Sequence, residues 1–312
     1  MAYLNNINSV FDSTHYNEIQ DNLVEWLDWG LLEKGNYFNS TLGELSPQNT
    51  DYSLLQISNN SNFSAGQAWD GFRPNWVWQS GVPYSPEPII ESGNTSKPGV
   101  SGVYVDDTFY PTDTAGSYAH HIDYHNGRVV FDSPIPTGSK VQVEHSYKYI
   151  NIIYANSLPW IREVSYDSLI NGRDPVMPPE MTIKLPCIAI ELSRRSMEPF
   201  SLGGAQKINT DVLFHCVAED SYTRNQMLDM ISYQNDKPIQ LFNTNDVIDN
   251  DALPIDYYGT PTANALRYPD LITTYPLCTM FLRNMTVQSV NTVNSNLHMG
   301  IVRATTEIYD LT

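Results

Sequence analysis

Apolar residues recur every three or four positions over residues 13–34, which is the spacing of one face of an α-helix. A serine and a threonine at the start can cap the first turn, and Lys34-Gly35 is a typical end. We therefore predict an N-terminal helix over 13–34. Trp26 and Trp29 either pack into the core, with one ring half exposed, or anchor a contact between subunits. The apolar stripe of this helix consists of Ile19, Leu23, Trp26, Leu27, Leu31 and Leu32.

The best-formed pattern lies within residues 185–242. The sequences LPCIAIELSRR and KINTDVLFHCVA alternate as two strands, and Gly203-Gly204 between them predicts a turn. A helix over 220–233 follows, capped by Asp220 or by the serine after it. The sequence KPIQLF predicts a short third strand. The expected apolar stripe of the helix consists of Tyr222, Met227, Leu228, Met230 and Ile231.

Residues 62–154 have the composition of a small β-rich unit, with many glycines, prolines and aromatic residues but few helix formers. Asn126-Gly127 readily adopts positive φ at both turn positions and predicts a type I′ hairpin. Gly102–Tyr110 predicts one strand, and residues 140–154 predict one long alternating strand. One face of that long strand should carry Val141, Val143, His145, Tyr147 and Tyr149.

Together these patterns predict an α+β fold, a mixed sheet with two main helices into which a β-rich domain is inserted. Residues 243–269 are acidic and rich in turn formers, which predicts a long loop. Leu277–Thr292 and Leu297–Tyr309 alternate and predict a final antiparallel strand pair. The predicted parts are residues 1–61 (first helix and strand of the core), 62–154 (inserted domain) and 155–312 (remainder of the core).

The chain of 312 residues carries a net charge of −18, from 17 Lys and Arg against 35 Asp and Glu. Such a surface repels nucleic-acid phosphates and anionic membranes, which argues against wrapping of DNA by a basic face. No stretch approaches about 18 apolar residues, so we expect no membrane span. The N-terminus lacks the pattern of a signal peptide. Cys187, Cys216 and Cys278 show no disulfide or zinc spacing, and we expect Cys187 and Cys216 to be buried free thiols.

The sequence contains no motif for catalysis or cofactor binding. The densest group of possible metal ligands is His120, His121, Asp123 and His125. This group either holds a metal ion or faces solvent on a hairpin, and we expect the second. Asp132 and Glu144 are a weak candidate for the carboxylate pair of a glycosidase. We therefore expect no catalytic residue, cofactor or metal. A sugar-binding surface around Trp76 and Trp78 is an alternative.

Two short motifs carry a resemblance to a known family. One is an "LP" dipeptide that opens an apolar strand ending in Glu, and the other is "AED" followed by Arg, Leu and Asp on the next helix. This pattern resembles the tail-terminator and related neck proteins of long-tailed bacteriophages, and the predicted N-terminal helix is similar to the one that opens their fold. Residues 62–154 and 243–269 are additions to it. The matching residues are Leu185, Pro186, Ile190, Glu191, Phe200 to Gly204, Ala218, Glu219, Asp220, Arg224, Leu228 and Asp229.

The resemblance implies a structural protein of the virion neck or tail, made in the host bacterial cytoplasm and without enzymatic activity. Such proteins form a ring, commonly a hexamer, that caps the tail tube, stops its growth and joins it to the head connector. The implied partners are the tail tube or sheath protein, the connector proteins, and genomic DNA that passes through the lumen without specific binding. The net charge of −18 suggests an acidic lumen. The alternatives are a carbohydrate- or receptor-binding virion module, or another neck, adaptor or baseplate protein.

Charged residues beside the two motifs are candidates for pairing between subunits of such a ring. Opposite charges across an interface fix its register more than they add affinity. The competing interpretation is that these residues are local solvated charges and helix caps. The candidates are Arg194, Arg195, Glu219, Asp220 and Arg224.

Overall fold

The computed structural model describes residues 15–45, 50–90, 99–155, 184–199, 206–262, 265–294 and 296–310. These residues form a strand-rich mixture of helices and strands, which confirms the α+β class. The helices are α1 (His15–Leu32), α2 (Ser221–Ser232), α3 (Thr244–Asp249) and α4 (Tyr268–Thr274). The strands are β1 (Tyr37–Ser40), β2 (Gln56–Ile57), β3 (Ala68–Asp70), β4 (Gly102–Val105), β5 (Thr108–Pro111), β6 (His120–Asp123), β7 (Arg128–Phe131), β8 (Val141–Gln142), β9 (His145–Lys148), β10 (Asn151–Tyr154), β11 (Cys187–Pro199), β12 (Gln206–Ala218), β13 (Pro238–Phe242), β14 (Pro276–Asn294) and β15 (Leu297–Asp310).

The largest sheet has six strands in the order β10-β11-β12-β15-β14-β13. All neighbours are antiparallel except β10 and β11, which are parallel. Strands β11 and β12 pair as one long hairpin, and β14 and β15 pair as a second, which confirms both predicted pairings. The predicted Gly203-Gly204 turn lies outside the described residues. The two hairpins supply the four central strands of the sheet.

Helices α1 and α2 lie on the same face of this sheet. Their apolar side chains share one buried cluster with alternate residues of the strands, such as Val212 and Phe214 on β12. Trp29 is buried and Trp26 is only partly buried, which confirms the core interpretation of these two rings. The predicted stripe of α1 is otherwise fully buried at Ile19, Leu23, Leu27, Leu31 and Leu32.

Helix α2 begins where the capping pattern predicted. The Asp220 carboxylate accepts from the Thr223 backbone N–H at 2.8 Å, which satisfies a donor that has no partner inside the helix. Leu228 lies against Gly300 of β15, where a Cβ atom would be 2.7 Å from Leu228 Cδ1. Tyr222 is 78% exposed, so its assignment to the buried stripe is wrong.

The β13 edge of the sheet is closed by side chains. The Asn22 side chain of α1 accepts from Phe242 N at 2.7 Å and donates to Phe242 O at 2.9 Å. The Tyr268 hydroxyl of α4 donates to Gln240 O at 2.6 Å. Backbone groups that would otherwise be available to another strand are thereby satisfied within the chain.

A second apolar cluster is formed by buried residues that run from Leu55 to Tyr147 along the chain and belong to three small sheets and the loops that join them. Trp76 belongs to this cluster and is 1% exposed. Strand β1 belongs to the first 61 residues but pairs with β9 of the inserted unit. The exact division of the chain at 62 and 154 stays a prediction.

The single strand predicted over 140–154 is wrong, because this stretch changes its partner twice. It forms β8, which pairs with β4, then β9, which pairs with β1, and then β10, which pairs with β11. Gly102–Tyr110 is likewise not one strand but the hairpin of β4 and β5. Asp106 and Asp107 turn that hairpin with φ of 49° and 63°.

The hairpin at Asn126-Gly127 exists, but its turn is not the predicted type I′. Asp123 pairs with Arg128, which leaves a loop of four residues between β6 and β7. Gly127 has φ of 64°, whereas Asn126 is not among the residues with positive φ. A type I′ turn needs positive φ at both central positions.

The prediction of one long loop over residues 243–269 is also wrong in part. Asn243 caps α3 by accepting from the backbone N–H groups of Asn245 and Asp246, at 3.0 and 3.2 Å. The end of the stretch opens α4, where Pro269 lies in the first turn and Asp270 holds Arg267 at 2.7 Å. The turn-rich composition concealed α3, which has a good N-cap, and the start of α4.

Candidate functional site

The face of the large sheet opposite α1 and α2 is the main candidate for function. Towards the tip of the β11–β12 hairpin it carries polar side chains from four strands, and no helix of the described residues packs on them. A shallow depression of about 420 Å³ lies here. We call this surface the open face, and it consists of Arg194, Ser196, Glu198, Lys207, Asn209, Asp211, Arg283, Asn284, Arg303, Thr305 and Glu307.

Ion pairs join neighbouring strands across the open face. Lys207 Nζ lies 2.8 Å from Glu307 Oε1, and Arg303 Nη2 lies 2.5 Å from Asp211 Oδ2. The hydrogen bond from Lys207 lowers the pKa of the Glu307 carboxyl, and the same bond raises the pKa of Lys207. Four cationic and three anionic side chains lie on this surface, so it is close to neutral. A lumen lined by the open face would therefore not be acidic, unlike the lumen suggested by the net charge.

The other end of the same face is apolar and buried. Cys187, Ala189 and Val217 form a small cluster there. Burial raises the pKa of the Cys187 thiol to about 12, so this thiol stays protonated at neutral pH. Cys187 and Cys216 are both buried and free, as predicted. Beside the cluster His215 Nε2 lies 2.7 Å from Glu191 Oε2.

Arg194 and Arg195 lie at a bulge in β11 and point to opposite faces of the sheet. The pairing with β12 shifts by one residue between Leu192 and Arg195. Arg194 is exposed and lines the depression of the open face. Arg195 lies on the helix side near Tyr16 and Glu18, where partial burial lowers the pKa of its guanidinium. The structure does not bring the two arginines together at one site.

The other three interface candidates lie at the opposite end of β12, around the start of α2. Asp220 is occupied as the helix cap, and its hydrogen bonds from Thr223 lower the pKa of its carboxyl. Arg224 is only 7% exposed, and its guanidinium donates to Asn225 Oδ1 at 2.8 Å. Glu219 is exposed. Of the five candidates, Arg194 and Glu219 remain available to a neighbouring subunit, and their role at an interface stays a prediction.

Sequence reasoning missed the ion pairs of the open face. Lys207 and Asp211 occupy odd positions of β12, and Arg303 and Glu307 occupy odd positions of β15. Apart from His215, Val217 and Leu297, which lie towards the other end of that face, the buried residues of both strands occupy even positions. Charges at every other residue of a strand indicate a solvated face, so the period-2 pattern held this information.

The remaining sequence candidates are the histidine group around β6 and the pair of Asp132 and Glu144. No group of three or more His, Cys, Asp or Glu side chains that could hold a metal occurs in the described part of the chain. His120 and Asp123 are buried, so their assignment to a solvent-facing hairpin is wrong. Asp132 follows β7, whereas Glu144 lies between β8 and β9 and accepts from Leu42 N.

Helix α1 carries a row of carboxylates on the flank of its apolar stripe, formed by Glu18, Asp21, Glu25 and Asp28. Glu18 and Asp28 are buried. Lys148 Nζ lies 2.6 Å from Asp28 Oδ2, and Gln79 donates to the same oxygen at 2.9 Å. Burial, with Asp28 and Asp21 adding repulsion, raises the pKa of Glu25 to about 7, although Lys148 acts in the opposite direction.

Stability should therefore depend on the protonation of Glu25. The folded chain holds this proton up to about pH 7, whereas the unfolded chain loses it near 4.5. The contribution of Glu25 is full below pH 4.5 and falls as the pH rises towards 7. Glu25→Gln should raise the urea midpoint at pH 8 and flatten its decline between pH 5 and 8. Glu219→Gln removes one exposed carboxylate as a matched control, and an equal effect of both variants would contradict this account.

Comparisons with known proteins assign no family to the chain. No protein-family model matches it, and no curated protein is significantly similar to it. Among the described residues, no helix is both long and apolar enough to cross a membrane.

Proposed function

We propose that this chain is a structural subunit of a tailed-phage virion, located in the neck or tail. In this proposal it forms a ring, similar to a tail terminator, that caps the tail tube and joins it to the head connector. The ring has no enzymatic activity and takes no cofactor. Genomic DNA passes through its lumen without being bound.

The open face is the observation that carries this proposal. A four-stranded surface of the long hairpins is hydrophilic, while α1 and α2 cover the opposite face. Five of its seven charged side chains form ion pairs, as in Lys207–Glu307 and Arg303–Asp211. Such a wall offers few free cations to nucleic-acid phosphates, so a polyanion can slide past it without electrostatic capture.

The burial of two tryptophans weakens the sugar-binding alternative. Trp76 and Trp78 are 1% and 4% exposed, so neither ring is available to stack on a sugar. The exposed aromatic side chains of the inserted unit are instead residues such as Phe72 and Phe109. A glycan surface centred on the two tryptophans is not compatible with this fold.

A nonsense mutant of the virus tests the proposal. Particles assembled without the chain should appear by negative-stain electron microscopy as separate heads and tails, with tails of irregular length. Supplying the chain from a plasmid should restore joined particles. Joined particles of normal tail length that fail only to adsorb to cells would reject the neck role and favour the receptor-binding alternative.

A further inference from the structure

Two central strands of the large sheet are longer than the outer strands that flank them. Strand β10 covers β11 only along Cys187–Ile190, and the Tyr16 hydroxyl bonds to Leu192 O at 2.9 Å. From residue 193 to 199 no described strand lies on the outer side of β11. Strand β13 likewise covers β14 only along residues 276–281. From residue 286 to 294 the outer side of β14 has no strand partner within the described residues.

These two stretches, which we call the open edges, have the features of pairing sites. Unpaired N–H and C=O groups along a strand edge are a template for another strand. Each edge also carries an exposed apolar side chain, Met197 at 56% and Val287 at 48% exposure. By contrast, Asn22 and Tyr268 close the outer side of β13. Among the described residues, one edge of the sheet is satisfied internally and the two longer stretches have no strand partner.

The backbone of Met197 faces the open side of β11. Ile190 O points away from β12, since it accepts from Ala155 N at 3.0 Å. Ile190 lies opposite Phe214 of β12, and Met197 lies opposite Ile208, six residues along. Because the bonding direction alternates along a strand, Met197 also presents its N–H and C=O to the open side.

The backbone of Val290 on β14 likewise faces an open side. Leu282 bonds outward to Lys237 O at 3.0 Å and lies opposite Thr306 of β15. Val290 lies opposite Gly300, again six residues along. Val290 therefore presents its backbone N–H and C=O to the second open edge.

We propose that the open edge of β11 in one copy pairs antiparallel with the open edge of β14 in the next copy, so that a ring of copies is closed by one continuous sheet. This pairing deepens the ring assembly of the proposed function and rests on it. Strands β11 and β14 run in opposite directions within one sheet, so copies with the same orientation meet antiparallel. Strand β10 of one copy then lies beyond the end of the open β14 edge of its neighbour, and β13 of the neighbour lies beyond the end of the open β11 edge.

The stagger of the open edges fits a closed sheet. Met197 lies level with Ile208, and Val290 lies level with Gly300 and hence with Cys216. Pairing of the edges thus displaces adjacent copies by about six to eight residues, or about 20–26 Å, across four strands that are about 19 Å wide. This displacement tilts the strands by about 45–55° from the ring axis, and the upper end of the 35–45° tilt typical of barrels meets this range.

The direction of this displacement also agrees with the handedness of closed β-sheets. The sheet is viewed from the helix side with β11 running upward, so that the Ile190 side chain points to the viewer. An L-residue in this orientation directs its carbonyl to the right. Because Ile190 O accepts from Ala155 N, β10 lies on the right of β11. The next copy joins on the right and is displaced upward. With the helices outside, the strands then coil in the right-handed sense that sheet twist favours. The open face lines the lumen of this ring.

Two proline variants of the full chain test the pairing. Met197→Pro and Val290→Pro each remove an outward N–H that makes no bond within the described part of the monomer, and proline is tolerated at such edge positions. Met197→Ala and Val290→Ala keep the N–H and serve as matched controls. Native mass spectrometry should show rings for the wild type and both alanine variants, and single chains of 35.3 kDa for each proline variant.

A mixture of the two proline variants gives the sharpest result. Each variant keeps one intact edge, so the mixture should form a one-to-one dimer and no ring. Rings that persist in both proline variants would overturn the edge pairing and leave ring assembly standing. A wild-type chain that stays monomeric at every concentration would overturn ring assembly itself. If a proline variant does not fold, hydrogen exchange of the wild type decides: slow exchange at Met197 and Val290 supports the pairing, and fast exchange overturns it.

Discussion

Trp76→Ala is expected to lower the free energy of unfolding of the inserted unit by about 3–5 kcal/mol, as for other buried tryptophans. The Trp76 ring stacks on His145 with centroids 4.0 Å apart, and its Nε1 donates to Arg73 O at 2.9 Å. A Cβ atom on Gly71 would lie 2.7 Å from the ring, so the surrounding backbone is fitted to this side chain. Urea denaturation followed by near-ultraviolet circular dichroism measures the loss.

Phe72→Ala is the matched control for Trp76→Ala. Phe72 is 50% exposed and stacks on Tyr52 at 4.0 Å, so its removal should cost about 1 kcal/mol or less. If Trp76→Ala were as stable as Phe72→Ala and lost binding to a glycan array, Trp76 would belong to a sugar-binding surface. That outcome would contradict the burial of the ring.

Asn22→Ala is expected to destabilise the chain by about 2–4 kcal/mol, because two buried backbone groups of Phe242 lose their partners. Asn22 is fully buried and also donates to Glu18 O at 2.9 Å. Asn22→Asp keeps the acceptor for Phe242 N but loses the donor, and a carboxylate there would be buried. Thermal and urea denaturation of both variants measure the effect.

Asn250→Ala provides the control for the loss of an asparagine. Asn250 is exposed and donates its side-chain N–H to Asp246 O at 2.7 Å. Its replacement should change stability by about 0.5 kcal/mol or less. A similar small loss for Asn22→Ala would show that the β13 edge does not depend on this side chain.

The parts of the fold that the sequence predicted are those with long, regular patterns. The stripe of α1 extends over four turns, and the alternation of β12 and β15 extends over 13 and 14 residues. Such patterns fix both the type of element and the face that it buries. The pairing of the strands within the two long hairpins could also be predicted, because the two strands of each hairpin are adjacent in sequence.

The short strands could not be predicted in the same way. Residues 140–154 alternate throughout, yet they join three different sheets. Alternation shows that a stretch is extended but does not identify its partner. Buried polar residues such as His145 and Ser146 lie in the middle strand of this series, where hydrogen bonds replace the apolar pattern.

The candidate site could likewise be predicted from the sequence only in part. The sequence indicates Asp220 and Arg224 as candidate interface charges, but the chain uses Asp220 as a helix cap and buries Arg224. A charged residue in a sequence does not reveal whether its partner is internal. The open edges depend on the lengths of β10 and β13 relative to β11 and β14, and only the assembled sheet gives these.

Cryo-electron microscopy of purified virus particles would locate the chain. We expect a ring of this chain at the head–tail junction, with α1 and α2 on the outside and Lys207 and Glu307 facing the lumen. Six copies joined through their edges would place opposite walls about 55–60 Å apart. Absence of the chain from particles, or its location on a fibre or spike, would contradict the proposed function. A ring with the helices facing the lumen would contradict the edge pairing.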